Sequence, residues 1–368
     1  MKTTYHIGID LHAQTAAIAW ASSKGELEFH GTCSATIKST ERTLRKLSRT
    51  FGVPLKDLRV CYEAGPTGFV LARRLKDLGL DVTVVAPSLI PQKSGERIKT
   101  DKRDALKLAR LHRAGELKPI HIPDHEDEMV RDLCRARTDA VEDMKRIKQQ
   151  LTAYLLRNGH RYTGKTNWTP AHLRYLRHLE LHSEQRFVLE EYLIALDAAH
   201  ARIDRIEARM HEVLETWQRK TSVEWLMGLK GFQIVAAMTL TAELGDLRRF
   251  EHPRQLMAYL GLVPGEHSSG SKRRLGAITK CGNSHARWML VECAKAYRSK
   301  PNVSALLTTR QDGLPREVKT LSWRAQNRLC TRYRRLKARG LHENKAAIAV
   351  ARELSGFIWE LNHPEADH

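Results

Sequence analysis

Three apolar runs bounded by turn residues come in quick succession near the N-terminus; two more then alternate with helical patterns. After residue 120 the chain turns to long amphipathic helices. That order predicts an α/β domain over residues 1–120, a coiled-coil helical region over 121–222 and a mainly α domain over 223–368. With 368 residues the chain can bury a separate core in each.

The first runs, "YHIGIDLH", "TAAIAWAS" and "ELEFHGT", have connections too short for a crossover, which predicts an antiparallel meander. "LRVCYEA" and "DVTVVAP" follow, with helical patterns at roughly 40–50 and 67–78 and a third helix at 101–117, which predicts parallel crossovers. Three strands followed by βαβα is the order of the ribonuclease-H-like fold. In the middle region Leu189, Leu193, Leu196, Ile203, Ile206, Met210, Val213 and Trp217 repeat mostly in steps of three and four. Leu133, Ala140, Met144, Ile147, Leu151 and Tyr154 form a similar stripe before the turn-rich "NGHRYTGKTNWTP". Two such helices make either an antiparallel hairpin or a dimerising coiled coil. The third region opens with "LMGLKGFQIVAAMTLTAELGD", an apolar helix entered through Gly228 and Gly231. A hairpin of this kind either aims backbone N–H groups at a phosphate or is an ordinary packing unit.

Hydrophobic residues make up 42% and charged ones 28%, a globular balance. No stretch approaches the roughly 20 apolar residues that span a bilayer, and "MKTTYHIGID" runs straight into a strand pattern rather than a signal sequence. The expectation is a cytoplasmic protein without a membrane partner. Six scattered cysteines without a C-x-x-C pair argue against a zinc ribbon or a disulfide scaffold. The formal charge of +20 is concentrated: residues 270–340 hold 18 Lys/Arg against 3 Asp/Glu, a net +15. A one-sign block of this size points to a polyanion, most simply nucleic acid.

Two strand-end acids stand out. Asp10 closes an apolar run, and a buried acid there is costly unless paired or bound to a cation. Glu63 closes another run before a Gly/Pro turn, and "IKTDKRDALKLARL" opens a helix with Asp101 and Asp104 on one face. If the strands of Asp10 and Glu63 are parallel neighbours, that helix can cover both. Four converging carboxylates repel unless a divalent cation sits among them, and all-oxygen ligation suits Mg²⁺ or Mn²⁺. Taken singly, Asp101 is equally readable as a helix cap and Glu63 as an exposed strand terminus. Further on, "GEHSSGSKRRLGAITKCGNSHAR" is Gly-rich, polar and basic, with Ser268, Ser269 and Ser271 beside Lys272, Arg273 and Arg274. It reads either as a phosphate-binding loop with serines as spacers or as a nucleophile held among cations.

At these residues the chain resembles the insertion-sequence DEDD transposases, described as bridge-RNA-guided serine recombinases. The Asp of "GIDLH", the Glu of "YEAGPTG" and the pair in "KTDKRDA" match the family's four acids in order, and "YLGLVPGEHSSG" and "ITKCGNSHAR" match its C-terminal transposase domain. Ala13 is a departure, since members often carry lysine there. The resemblance implies a RuvC-like domain holding Mg²⁺ through Asp10, Glu63, Asp101 and Asp104. It also implies a catalytic serine that becomes linked to DNA through a phosphoserine bond. That serine precedes a glycine, which selects Ser269, with Ser268 beside it as the alternative. Lys272, Arg273, Arg274, Lys280 and Arg287 are then the nucleic-acid contacts. Donor and target DNA, a guide RNA and a homo-oligomer, dimer or tetramer, are the implied partners. Other readings are a RuvC-like structure-selective endonuclease using water, a sugar-kinase or actin-like ATPase, and a non-enzymatic nucleic-acid scaffold. The ATPase lacks its second phosphate loop here, and the scaffold leaves the acids unexplained.

Overall fold

The computed structural model describes residues 3–91, 100–266 and 274–363. They divide into two compact units, Met1–Pro123 and Asp124–His368.

In the first unit, strands β1 (Tyr5–Leu11), β2 (Thr15–Ser22) and β3 (Leu27–Ser34) precede helix α1 (Ile37–Phe51). Then come β4 (Leu58–Glu63), α2 (Val70–Asp77), β5 (Asp81–Val85) and α3 (Asp101–Arg113). The five strands form one mixed α/β sheet in the order β3-β2-β1-β4-β5. β1–β2 and β2–β3 are antiparallel, whereas β1–β4 and β4–β5 are parallel. This follows from connection length: three residues separate β1 from β2, while a helix fills the route from β3 to β4. The two faces differ in side-chain size. Ile7, Ile9, Val60 and Tyr62 pack with Leu44 and Leu47 of α1 and Leu71 and Leu75 of α2. On the opposite face Ala17, Ala19 and Ala21 of β2 meet Ala105 and Ala109 of α3. Small side chains on both surfaces let α3 lie close against the sheet.

The second unit begins with α4 (His125–Arg157), α5 (Pro170–Arg177) and α6 (Ser183–Thr216). Leu189, Leu196, Ile203 and Met210 of α6, seven residues apart, are all buried. The partner of this seam is α4 of the same chain. Arg137 pairs with Glu207 at 2.6 Å, Arg202 with Asp143 at 2.9 Å, and the Tyr154 hydroxyl donates to the Gln185 carbonyl. Falling numbers on one helix against rising numbers on the other make this an antiparallel hairpin. Its far end closes on α5 through Leu151, Tyr154, Leu176 and Leu189.

Helices α7 (Lys220–Met227), α8 (Ile234–Leu244) and α9 (Pro253–Tyr259), strands β6 (Pro264–Glu266) and β7 (Leu275–Ile278), and helices α10 (Ser284–Ala294), α11 (Ala305–Gln311), α12 (Arg316–Ala338) and α13 (Glu343–Leu361) complete the unit. Their large core also takes in Val130, Cys134, Met210 and Trp217 from the base of the hairpin. The Gly228–Gly231 turn packs into this core. Leu229 and Phe232 are fully buried, and a Cβ on Gly231 would lie 2.5 Å from the Cys293 carbonyl oxygen. Protein atoms crowd the turn on its Cβ side, which supports the packing reading. Among the described residues no helix is long and apolar enough to cross a membrane. All six cysteines are free; four are buried, and Cys281 is exposed.

Candidate functional site

The register of β1 and β4 places Gly8 opposite Cys61 and Ile9 opposite Tyr62. Asp10 and Glu63 stand one step further on, at the ends of adjacent parallel strands. By the two-residue alternation of a strand, both share the face that carries Gly8 and Cys61. That is the α3 face: the Cys61 thiol contacts the Leu108 carbonyl, and α3 backbone fills the space a Gly8 side chain would take.

Helix α3 begins where Thr100 caps it, the side chain accepting from the Arg103 N–H at 3.3 Å. Thr100 does the capping, so Asp101 is not needed for it and its carboxylate is exposed. Asp101 and Asp104 occupy the first turn, where the helix dipole favours negative charge. The Asp10 carboxylate is only 13% exposed and accepts from His12 Nε2 at 3.2 Å; the same ring nitrogen lies 3.6 Å from Asp101. One ligand atom each from Asp10, His12 and Asp101 fall within 4.8 Å of one another. Burial raises the Asp10 carboxyl above its ordinary value, His12 opposes that, and Asp104 and Asp101 add to it.

Three of the four sequence-predicted acids are thus electrostatically linked. Asp10 and Asp101 are in the compact trio, and Asp104 is close enough to perturb Asp10. Glu63 is partly buried on the neighbouring strand end and stands outside the trio. His12 takes the position that sequence reasoning left empty. Its signal was an imidazole two residues beyond a strand-end acid, easily passed over because side chains two apart on a strand share a face only while the strand continues. Two hard carboxylates and an imidazole are a donor set that a divalent cation accepts, Mn²⁺ tolerating the nitrogen better than Mg²⁺.

In the second unit the segment "YLGL" and the segment "TKCGNS" grip each other through backbone. The Lys280 N–H donates to the Gly261 carbonyl and the Asn283 N–H to that of Tyr259. Gly261 and Gly282 have positive φ, and a Cβ on either would lie 2.2 Å or less from a carbonyl oxygen of the other segment. Asn283 caps α10 and donates to Glu243 at 2.7 Å. Glu243 also accepts from Arg135 at 2.7 Å, with Arg131 at 3.5 Å. Burial opposes ionisation of Glu243, but the hydrogen bonds from Arg135 and Asn283 and the charge of Arg131 prevail and hold its carboxyl below the ordinary value.

Of the basic residues singled out from the sequence, Arg274 and Lys280 are exposed. Arg287 is partly buried and gives one guanidinium nitrogen to the Leu260 carbonyl at 2.9 Å, which ties it to the grip between the two segments. Ser268, Ser269, Ser271, Lys272 and Arg273 lie outside the described residues.

Comparison with known proteins finds two family models on the chain. Residues 7–158 match a DEDD transposase model of the IS110 type, and residues 223–307 match the model described as "Transposase IS116/IS110/IS902 family". The chain is 43% identical to the Sinorhizobium fredii protein named "Putative transposase y4qE", over 96% of the chain and 87% of that protein. It is 28% identical to the transposase for insertion sequence element IS1533 of Leptospira borgpetersenii, covering 92% and 98%. With the transposase for element IS1328 of Yersinia enterocolitica it shares 26% identity, covering 82% of each.

Proposed function

The chain belongs to the insertion-sequence DEDD transposase family, and within that family we propose that it cuts and rejoins DNA through a serine nucleophile supported by a divalent-metal site. Membership makes it a DNA-cleaving enzyme whose four-acid site takes a divalent cation. The observation that carries the finer reading is the convergence of Asp10, Asp101 and His12 where β1 ends against the first turn of α3. The sheet order β3-β2-β1-β4-β5, with its change from antiparallel to parallel, supports a ribonuclease-H-like, RuvC-like class for the first unit.

In this reading Asp10, Asp101, Asp104 and Glu63 hold Mg²⁺ or Mn²⁺. A bound cation supplies charge neutralisation for a phosphodiester and for the oxygen departing from it. His12 holds Asp10 in place through their hydrogen bond. Ser269 attacks the phosphorus: Oγ gives up its proton as the Oγ–P bond forms, the bond from phosphorus to the departing deoxyribose oxygen breaks, and that oxygen takes up one proton, so none is gained or lost overall. Reversal on a second strand end rejoins the DNA. The exposed cations Arg274 and Lys280, with Lys272, Arg273 and Arg287, hold phosphates.

Donor and target DNA are the substrates of this reading, with an element-encoded guide RNA pairing to both. A homo-oligomer is supported by Phe187 and Ile194, more than half exposed on α6 of the hairpin. The three-part division at 120 and 222 remains our proposal for function, with the hairpin as the spacer between chemistry-bearing segments.

Trapping the protein on a nicked DNA substrate and locating the modified residue by mass spectrometry tests the reading. The expected adduct is on Ser269, absent in Ser269→Ala and absent in Asp10→Asn. Cleavage with no adduct would replace the recombinase by the water-using endonuclease, and an adduct that survives Ser269→Ala would move the nucleophile.

A further inference from the structure

In the second unit, α9, β7, α12 and α13 enclose a cleft of about 940 Å³. Its floor is aliphatic: Met257, Leu262, Ile278, Ile348 and Ala349. Six cations line it, Arg254, Lys280, Arg328, Arg332, Lys345 and Arg352, against one acid among the described lining residues, Glu353. Glu353 is already neutralised, accepting from Arg328 at 2.9 Å and lying 3.2 Å from Arg332. Arg254, Lys280, Lys345 and Arg352 form no ion pair among the described residues. A set of unpaired cations around an apolar floor is costly to maintain in isolation, because like charges repel and the apolar surface stays wet.

We propose that this cleft binds an unpaired nucleotide of a DNA strand, the base on the aliphatic floor and its flanking phosphates on the four free cations. The inference rests on the transposase reading and names a subsite within it. Charge complementarity calls for a polyanion, and the floor calls for an apolar surface on that same polyanion. Paired duplex DNA offers phosphates but keeps its base faces stacked. An acidic peptide offers carboxylates but brings backbone N–H and C=O groups that the floor cannot satisfy. A base turned out of its stack offers a flat face needing no hydrogen bond and carries a phosphate on each side. The volume lies within the range of pockets that hold small organic ligands and exceeds what a phosphate alone requires. The floor has few polar groups to read a base edge, so the subsite accepts any base.

Position agrees with this use. Ile278 and Ala277 belong to β7 and Pro264 to β6, the strands joined by the sequence segment that contains Ser269.

The probe is a DNA duplex with a single bulged 2-aminopurine, compared with the fully paired duplex, mixed with the full chain in EDTA so that no cleavage occurs. On an aliphatic floor, with the His252 imidazole at the rim and no Trp, Tyr or Phe among the described lining residues, the 2-aminopurine emission rises several-fold on binding. The bulged duplex binds about tenfold tighter than the paired one, the order expected when the face of one base leaves water for an apolar floor. Ala349→Trp, which fills the floor and leaves the charges, abolishes the emission rise and the preference while paired-duplex affinity is kept. Lys345→Ala with Arg352→Ala, both exposed, weakens both duplexes and lowers the log–log salt slope by about two. Equal binding of paired and bulged DNA, an emission rise that survives Ala349→Trp, or capture of a bulged RNA but not the DNA would overturn the proposal and leave the transposase reading standing. Failure to bind any of these duplexes would overturn both.

Discussion

Gly8→Ala is the smallest change that should separate fold from chemistry in the first unit. A Cβ at position 8 would sit 2.4 Å from the Ala105 carbonyl oxygen, 2.4 Å from the Ala109 nitrogen and 3.0 Å from the Leu108 Cβ. Two of those three atoms are α3 backbone, so no rotamer change relieves the overlap, and ordinary contact distance requires the helix to retreat by about 1 Å. Overpacking of this kind costs about 1–3 kcal/mol, a fraction of the stability of a typical domain, so the variant folds. The consequence for chemistry is larger, because α3 carries Asp101 and Asp104 in its first turn and Asp10 stays on β1. Moving one set of ligands about 1 Å from the other should cost about 100-fold in rate. The assay pairs urea denaturation with DNA cleavage at saturating Mn²⁺ or Mg²⁺. Gly65→Ala is the matched control: its added Cβ meets nothing within 4 Å and its φ is not positive, so both readouts should hardly change. Cleavage by Gly8→Ala within about threefold of the native rate would refute the coupling between helix approach and the acid site.

Glu243→Gln removes the buried charge that Arg135, Arg131 and Asn283 are built around; Arg135 is 43% exposed and regains water, so the loss should be about 1–3 kcal/mol. Urea denaturation followed by tryptophan fluorescence checks it, and a loss under about 1 kcal/mol would show the network to be dispensable. In the first unit the His6 and His112 rings meet edge to face with centroids 5.0 Å apart. Burial lowers both, with help from Arg59 and Arg113 at His6 and from His6 at His112, which is brought to about 4. The unfolded chain binds the His112 proton near 6.5 and the folded chain does not until about 4, so the stability tied to His112 is full above 6.5 and falls as pH drops towards 4, and His6 acts in the same direction. For His112 the ceiling is about 3 kcal/mol, and residual solvent contact brings it to about 1–2. His112→Phe should flatten urea midpoints measured across pH 6.5 to 4; an unchanged slope would place the sensitivity elsewhere.

The sequence made the first unit legible because its elements are short and cleanly punctuated. The run "TAAIAWAS" coincides with β2, and "LRVCYEA" overruns β4 by one residue. The hairpin's seam was equally plain in Leu189, Leu196, Ile203 and Met210, but its partner was not: a seven-residue repeat says what a helix buries, not which chain covers it. The helix at 170–177 inside the turn-rich stretch went unread, since eight residues show barely two turns of periodicity. The cleft was hidden for a different reason. Its cations come from α9, the segment after β7, α12 and α13, so the 270–340 charge block contained only Lys280, Arg328 and Arg332 of the six.

Buried acids in the two units divide by what surrounds them, a distinction no local sequence pattern carried. Glu243 and Asp127 both have fully buried carboxylates, and each is supplied with donors from within the chain. Arg135 and Asn283 serve Glu243, while Arg219 and the Trp217 indole serve Asp127. Those acids are structural, and their partners lie between 40 and 108 residues away in sequence. Asp10 is different. Burial raises its carboxyl, as it raises that of Asp127, but Asp127 has Arg219 and Trp217 donating against the rise, whereas Asp10 has a single imidazole and two further acids, Asp104 and Asp101, that add to it. A protein that needed Asp10 for packing alone would gain by replacing it with asparagine, which keeps the shape and loses the repulsion. Keeping an acid there at a cost in stability is sensible only if a positive charge arrives from outside the fold. By that argument Asp10→Asn should leave the first unit at least as resistant to urea as the native chain when divalent cations are chelated, and should lose the stabilisation that added Mn²⁺ gives the native chain.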